Sequence, residues 1–153
     1  MTTAPAVIRP AWGADLASLR RVDPRLADPA RARIASNLLG QGRSWIADIA
    51  GAPAGFALTS LGFFNRPMVE LLVVAEEHRR KGIGLILLNH CEAVHTDDRI
   101  FASTNASNTA ANALLAKAGF EGSGIVYNID PGDPELIYVR RRATTLTFIP
   151  YRP

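Results

Sequence analysis

The chain has 153 residues, of which 48% are hydrophobic and 20% are charged, a composition typical of one globular domain and not of a disordered chain. Its formal net charge of +3 is too small to indicate a nucleic-acid-binding protein. No apolar run approaches the roughly 20 residues that a membrane span needs, and the N-terminus lacks the layout of a signal peptide, so we expect a cytoplasmic protein with no membrane partner.

Hydrophobic periodicity and turn residues divide the chain into strands and helices. In chain order they predict a strand, two helices, three strands, a helix, a strand, a helix and two strands. The strands are predicted at residues 6–9, 44–50, 54–63, 68–74, 100–104, 125–129 and 136–141, and the helices at 13–22, 28–40, 83–95 and 108–118. We therefore expect one α/β domain over residues 1–143, a mixed sheet of about seven strands flanked by about four helices. The tail at 144–153 is apolar in part and could add a strand or contact a second copy in a homodimer.

The predicted strand at residues 68–74 is apolar except for Glu70, so we expect a central strand buried on both faces. By strand alternation, Glu70 would share a face with Leu72 and Val74. Desolvation there would raise the pKa of this carboxylate toward a value useful to a general base. The alternative is a structural glutamate paired with an arginine.

A basic, glycine-containing turn follows this strand. Gly82 and Gly84 let the backbone approach a ligand closely, and the first amides of the next helix have no helical acceptor. The helix dipole and the charges of Arg79, Arg80 and Lys81 favour an anion at this position. The turn lacks the third glycine of a dinucleotide fingerprint and the Gly-Lys-Ser/Thr of a P-loop. It predicts a pyrophosphate site, with a solvated basic turn as the alternative.

Two segments resemble the motifs of the GNAT superfamily of N-acetyltransferases. Residues 74–84 resemble its acyl-CoA motif, written Arg/Gln-x-x-Gly-x-Gly/Ala after a strand that ends in valine. Residues 107–120 resemble its second motif, in which an asparagine opens a helix that ends in Gly-Phe. The resemblance covers roughly residues 6–142. It implies the single-domain GNAT fold, a small stand-alone bacterial-type member, and an acetyl-CoA-dependent N-acetyltransferase that uses no metal.

The resemblance also implies where acetyl-CoA binds. The pantetheine arm would lie along the open edge of the strand before the turn, where one backbone amide would polarise the thioester carbonyl. Asn108 matches the cofactor-side asparagine of the family, although a plain helix N-cap explains it equally well. The implied cofactor-binding residues are Leu72, Val73, Val74, Arg79, Arg80, Lys81, Gly82, Ile83, Gly84, Leu85 and Asn108.

The general acid of the family is missing from this sequence. Many members use a tyrosine in the second-motif helix to reprotonate the leaving thiolate, and here that position is Leu115. Tyr127 is our first candidate for a substitute and Tyr138 our second. The alternative is that no dedicated acid exists, because a CoA thiolate can take its proton from water or from the product ammonium. Cys91, the only cysteine, lies on an apolar helix stripe and is expected in the core.

We expect the acceptor to be a primary amine of a small molecule. Six acidic residues on the first two helices and the last hairpin could form a rim that attracts a cationic amine, or could simply cap helices and turns. These residues are Asp15, Asp23, Asp28, Asp130, Asp133 and Glu135. Two other functions stay open, a protein N-terminal or lysine acetyltransferase and a non-catalytic module that senses acyl-CoA. The histidines are not spaced as a metal set.

Overall fold

A computed structural model describes residues 4–142. Seven strands form one sheet in the order β1-β2-β3-β4-β5-β7-β6. The strands are β1 (Val7–Pro10), β2 (Ser44–Ile49), β3 (Ala52–Phe63), β4 (Arg66–Val74), β5 (Arg99–Asn105), β6 (Glu121–Asp130) and β7 (Asp133–Arg141). The helices are α1 (Leu16–Val22), α2 (Pro29–Gly40), α3 (Ile83–Val94) and α4 (Thr109–Lys117). The predicted mixed sheet and its four helices are confirmed, and the tail at 144–153 lies outside the described residues.

The last hairpin is longer than the sequence predicted. β6 begins at Glu121, four residues before the predicted start at Ile125, because it pairs with β7 from Glu121 opposite Val139 onward. Gly122 lies in this added stretch, and glycine has a low strand propensity, so only the pairing with β7 makes the segment a strand. Three short 3-10 turns, Gly13–Asp15, Pro24–Ala27 and Glu76–His78, were also not predicted.

Helices cover both faces of the sheet, and each face has its own hydrophobic core. One core packs α1 and α2 on the sheet through Leu19, Leu39 and Phe56. The other packs α3 and α4 through Leu87 and Cys91, among others. Burial raises the pKa of the Cys91 thiol to about 12, so the thiol stays protonated at neutral pH and its assignment to the core is confirmed.

Strands β4 and β5 pair over only part of their length. Their parallel ladder consists of Met68 opposite Phe101 and Val69 opposite Ala102, after which the two strands diverge. On its other side β4 stays paired with β3 as far as Val74. The second half of β4 therefore presents its backbone to a cleft at the carboxyl ends of the two strands, the usual place for ligands in such sheets.

A β-bulge at Glu70 interrupts the alternation of β4. Leu58 of β3 pairs with Leu71 and the next residue, Thr59, pairs with Val69, so Glu70 has no partner opposite it. Leu72, three residues after Val69, packs in the same core beneath α3. The prediction that Glu70 shares a face with Leu72 and Val74 is therefore wrong, as is its expected burial, because its side chain is exposed. Bulges commonly redirect a side chain next to an active site.

Candidate active site

The divergence of β4 and β5 opens a cavity of about 950 Å³. Leu72, Val73 and Val74 of β4 form one wall, the start of α3 forms the next, and β5 and α4 lie opposite. This volume lies within the range of small-molecule and cofactor sites, roughly 300–1,000 Å³. The three β4 residues predicted to bind the pantetheine arm thus lie together along one cavity.

The first turn of α3 places free amides beside this cavity. Gly82 is its N-cap, with φ of 82°, a left-handed conformation that glycine adopts without steric cost. The Ile86 N–H donates to the Gly82 carbonyl at 3.0 Å, so the N–H groups of Ile83, Gly84 and Leu85 precede the first helical bond. These residues all line the cavity. The helix dipole therefore favours an anion at this end of the site.

Gly84 lets α3 and α4 approach each other closely at the cavity wall. A Cβ atom added to Gly84 would lie 2.7 Å from Leu114 Cδ2 of α4 and 3.7 Å from Val74 Cγ2. Contacts near 2.7 Å are not tolerated by packed carbon atoms, so any side chain here would displace its neighbours. The second glycine of the motif thus sets the position of the first helical turn.

The three basic residues of the turn are not equivalent. Arg79 and Arg80 are exposed and line the cavity, and Arg79 Nε donates to the Val74 carbonyl at 3.2 Å. Lys81 instead donates through Nζ to the Glu77 carbonyl at 2.7 Å and is absent from the cavity lining. The structure therefore brings two of the three predicted cations to the cavity that contains the predicted anion site.

Asn108 is both a helix N-cap and a residue of the cavity lining, the two positions expected from its alternative roles in the sequence analysis. Its Oδ1 accepts the Ala111 N–H at 3.1 Å, which makes it the N-cap of α4. The same residue lines the cavity. Capping uses only one atom of the side-chain amide, so its position is compatible with a second contact to a ligand.

The Glu70 carboxylate lies in the cavity with a serine as its partner. Ser60 Oγ donates to Glu70 Oε1 at 2.5 Å, and Ser60 Oγ in turn accepts the Gly62 N–H at 2.9 Å. The structural alternative required an arginine as the partner of Glu70, and the partner is Ser60 instead. The desolvation that we expected at this residue is absent, because the bulge turns it away from the apolar core.

Neither candidate tyrosine reaches the cavity. Tyr138 donates its hydroxyl to Asn112 Oδ1 at 2.6 Å and packs in the core beneath α3 and α4. Tyr127 lies on the edge strand β6, is 66% exposed and is not among the residues that line the cavity. The structure therefore does not place Tyr127 where its predicted role as a catalytic acid needs it. Leu115, at the position of the family's tyrosine, does line the cavity.

Five of the six residues proposed for an acidic rim lie outside the cavity lining, where they make cap, turn or ion-pair contacts. Asp28 caps α2 by accepting the Ala30 N–H, and Asp15 pairs with Arg9. The acidic residues of the last turn accept from Asn105 and Ser107. Of the six, only Glu135 lines the cavity.

Asp23 is buried between two arginines. Its Oδ1 accepts from Arg25 Nε at 2.9 Å and its Oδ2 accepts from Arg31 Nε at 2.8 Å. Burial by itself would raise the pKa of the Asp23 carboxyl, but the hydrogen bonds and charges of the two arginines outweigh burial and hold the pKa below its usual value. Arg25 and Arg31 both line the cavity, and the sequence offered no motif that identified them.

Replacing Asp23 with asparagine is expected to lower the free energy of unfolding at pH 7 by about 1–3 kcal/mol, because the neutral amide keeps one acceptor oxygen and turns an N–H donor toward the other guanidinium group. The folded-state pKa is depressed, so the carboxylate's contribution is complete above the unfolded pKa of about 4 and is lost as pH falls through the folded pKa. Urea unfolding at pH 7 and pH 3 should show the difference shrinking in acid. Asp28→Asn, which keeps a good N-cap, is the control; an equal loss at both pH values would contradict the prediction.

Among residues 4–142, no group of three or more His, Cys, Asp or Glu side chains is arranged to hold a metal ion. The helices in this range are all too short or too polar to cross a membrane.

The family model for the acetyltransferase (GNAT) family matches residues 13–120. A GNAT-family acetyltransferase from Bacillus cereus ATCC 10987 is 28% identical, covers 92% of this chain and 100% of its own, and superposes with a TM-score of 0.84. The ribosomal-protein-S18-alanine N-acetyltransferase from Escherichia coli has 22% identity, coverage of 94% and 100%, and a TM-score of 0.76. An acetyltransferase from Bacillus anthracis, in complex with acetyl coenzyme A, has 19% identity, coverage of 65% and 62%, and a TM-score of 0.61. No curated protein sequence matches significantly.

Proposed function

This chain belongs to the GNAT acetyltransferase family and uses acetyl-CoA as its acetyl donor, and from that premise we propose that its acceptor is the primary amine of a small molecule. One observation carries the proposal. The anion-binding turn of α3 and the Glu70 carboxylate line the same cavity, so a donor held at one end and an amine at the other would meet inside it.

The residues present fit the donor. We propose that the free amides of Ile83, Gly84 and Leu85, with Arg79 and Arg80, hold the pyrophosphate, because they combine helix-terminal N–H groups with two positive charges. The edge of β4 that β5 leaves open, at Leu72, Val73 and Val74, offers backbone groups to the pantetheine arm. Asn108 lies within reach of the same cavity. When bound, acetyl-CoA supplies an acetyl thioester.

We propose that Glu70 is the general base that removes a proton from the acceptor ammonium. An alkyl ammonium has a pKa near 10, so only about one molecule in a thousand is neutral and nucleophilic at pH 7. The Glu70 carboxylate, held by Ser60, accepts that proton directly or through a water. Leu115 stands where relatives have a tyrosine, so we propose that the departing sulfur is protonated by water or by the product ammonium.

A protein acceptor is the alternative. The Escherichia coli neighbour is a ribosomal-protein-S18-alanine N-acetyltransferase, and its fold resembles this one over 94% of this chain. We favour a small molecule because the cavity that Glu70 lines is also lined by Arg25, of the 3-10 turn Pro24–Ala27, and by Arg31, of α2, so charged side chains are available to a small polar acceptor. The cytoplasmic location and the homodimer remain expectations from the sequence.

Replacing Arg79 and Arg80 together with alanine is expected to weaken acetyl-CoA binding about 2- to 30-fold, the range for two solvent-exposed ion pairs. Calorimetric titration with acetyl-CoA and with CoA measures the effect, and Arg33→Ala, an exposed arginine of α2 outside the cavity, is the matched control. A screen of primary amines for release of free CoA then tests the acceptor class. If the parent protein bound neither nucleotide, the α3 turn would not be a donor site.

A further inference from the structure

The cavity carries two arginines on the side of α1 and α2, away from the start of α3. Arg25 lies in the turn Pro24–Ala27, and Arg31 lies on α2. Both line the cavity that Glu70 lines. The proposed donor site uses Arg79 and Arg80, so Arg25 and Arg31 have no role in the function proposed above.

Asp23 holds both guanidinium groups in place. Its carboxylate is 2% exposed and bridges the pair, with Arg25 Nε 2.9 Å from Oδ1 and Arg31 Nη2 2.7 Å from Oδ2. A carboxylate that is itself buried and bonded on both oxygens fixes the orientation of the two arginines before any ligand arrives. This pre-organisation lowers the entropy cost of using them for binding.

The charge of this cluster is not balanced. One carboxylate between two guanidinium groups leaves one positive charge. In the hydrogen bonds of residues 4–142, the Arg25 guanidinium engages Asp23 through Nε alone, so its Nη1 and Nη2 groups remain available, and Nη1 of Arg31 is also uncommitted. Two adjacent N–H donors on a planar fork match the two oxygens of a carboxylate.

We propose that Arg25 and Arg31 bind a carboxylate of the acceptor, so that the acceptor is an amine that also carries a carboxylate, as an amino acid does. This inference rests on the proposed function. The surplus of one positive charge matches a carboxylate better than a phosphate, which carries −1.5 to −2 charges at pH 7. Glu70 and Glu135 also line the cavity and supply the negative charges that an ammonium needs. A zwitterionic acceptor thus finds both charges matched within one cavity.

The test compares amino acids with their carboxamides, which keep the amine and lose the negative charge. We expect kcat/KM for the parent protein, measured by CoA release, to favour the carboxylate member of the preferred pair by at least about 10-fold. Arg25→Gln should reduce that preference to below about threefold. Arg25 is 68% exposed, so this variant is expected to fold, and thermal unfolding checks it. Amines of similar length that carry a phosphate in place of the carboxylate are tested separately.

Two controls keep the inference distinct from its premise. Arg33→Gln, on the same helix as Arg31 but exposed and outside the cavity, should retain the carboxylate preference. Acetyl-CoA affinity in Arg25→Gln should stay within about twofold of the parent; a loss as large as the loss of preference would assign Arg25 to the donor. Equal use of acids and carboxamides, or preference for phosphates, overturns the inference and leaves the acetyltransferase proposal intact. If no amine of any kind is acetylated, both fail.

Discussion

Replacing Glu70 with glutamine is expected to lower kcat by about 10²- to 10⁴-fold while acetyl-CoA affinity stays within about twofold. Glutamine keeps the size of the side chain and its hydrogen bond with Ser60, but it cannot take a proton from the acceptor ammonium. The α3 turn, our proposed donor site, is not touched by the substitution. Steady-state kinetics with a saturating acceptor, together with calorimetric titration of acetyl-CoA, separate the two effects.

Glu77→Gln is the matched control for this prediction. Glu77 is an exposed glutamate of the turn after β4 and does not line the cavity, so its loss should leave kcat unchanged. An unchanged kcat in Glu70→Gln would mean that Glu70 does not move the acceptor proton. If the parent protein bound acetyl-CoA but no amine caused it to release CoA, the interpretation as an acyl-CoA sensor would be favoured instead.

Replacing Gly84 with valine is expected to weaken acetyl-CoA binding by at least about 10-fold and to lower the free energy of unfolding by about 1–3 kcal/mol. A Cβ alone would lie 2.7 Å from Leu114 Cδ2, and the two methyl groups of valine extend further into that space. Either the Leu114 side chain or the first turn of α3 must shift to relieve the overlap. A shift of the turn would displace its free amides, and the valine methyl groups would also fill part of the cavity that Gly84 lines. Calorimetric titration and urea unfolding measure the two losses.

The contact with Leu114 gives this prediction a rescue test. Adding Leu114→Ala to Gly84→Val removes the side chain that valine displaces, so the double variant should recover part of the affinity lost by the single one. Gly40→Val is the control, because a Cβ at Gly40 meets nothing within 4 Å. Unaltered acetyl-CoA affinity in Gly84→Val would show that the first turn of α3 is not the donor's anion site.

Strand pairing across the chain decided what periodicity could not. Alternation placed Glu70 with Leu72 and Val74, but the register between β3 and β4 inserts a bulge at Glu70 and turns it into the cavity. The start of β6 was missed for the same reason, since Gly122 is a strand residue only because β7 lies beside it. Tyr127 was chosen as a catalytic candidate by residue type alone, and its position on the edge strand leaves it outside the cavity.

The sequence by itself determined the fold class, the order of the elements and the basic glycine turn that we propose as the donor site. Each of these depends on residues close together in the chain, where helix caps, the glycines at 82 and 84 and a short apolar strand act through local geometry. The tertiary structure alone decided which distant groups share the cavity. Arg25 and Arg31 line the same cavity as Glu70, which lies about 40 residues further along the chain, and that cavity forms where β4 and β5 diverge after two residue pairs. Long-range packing, which no local pattern encodes, brought these charges together.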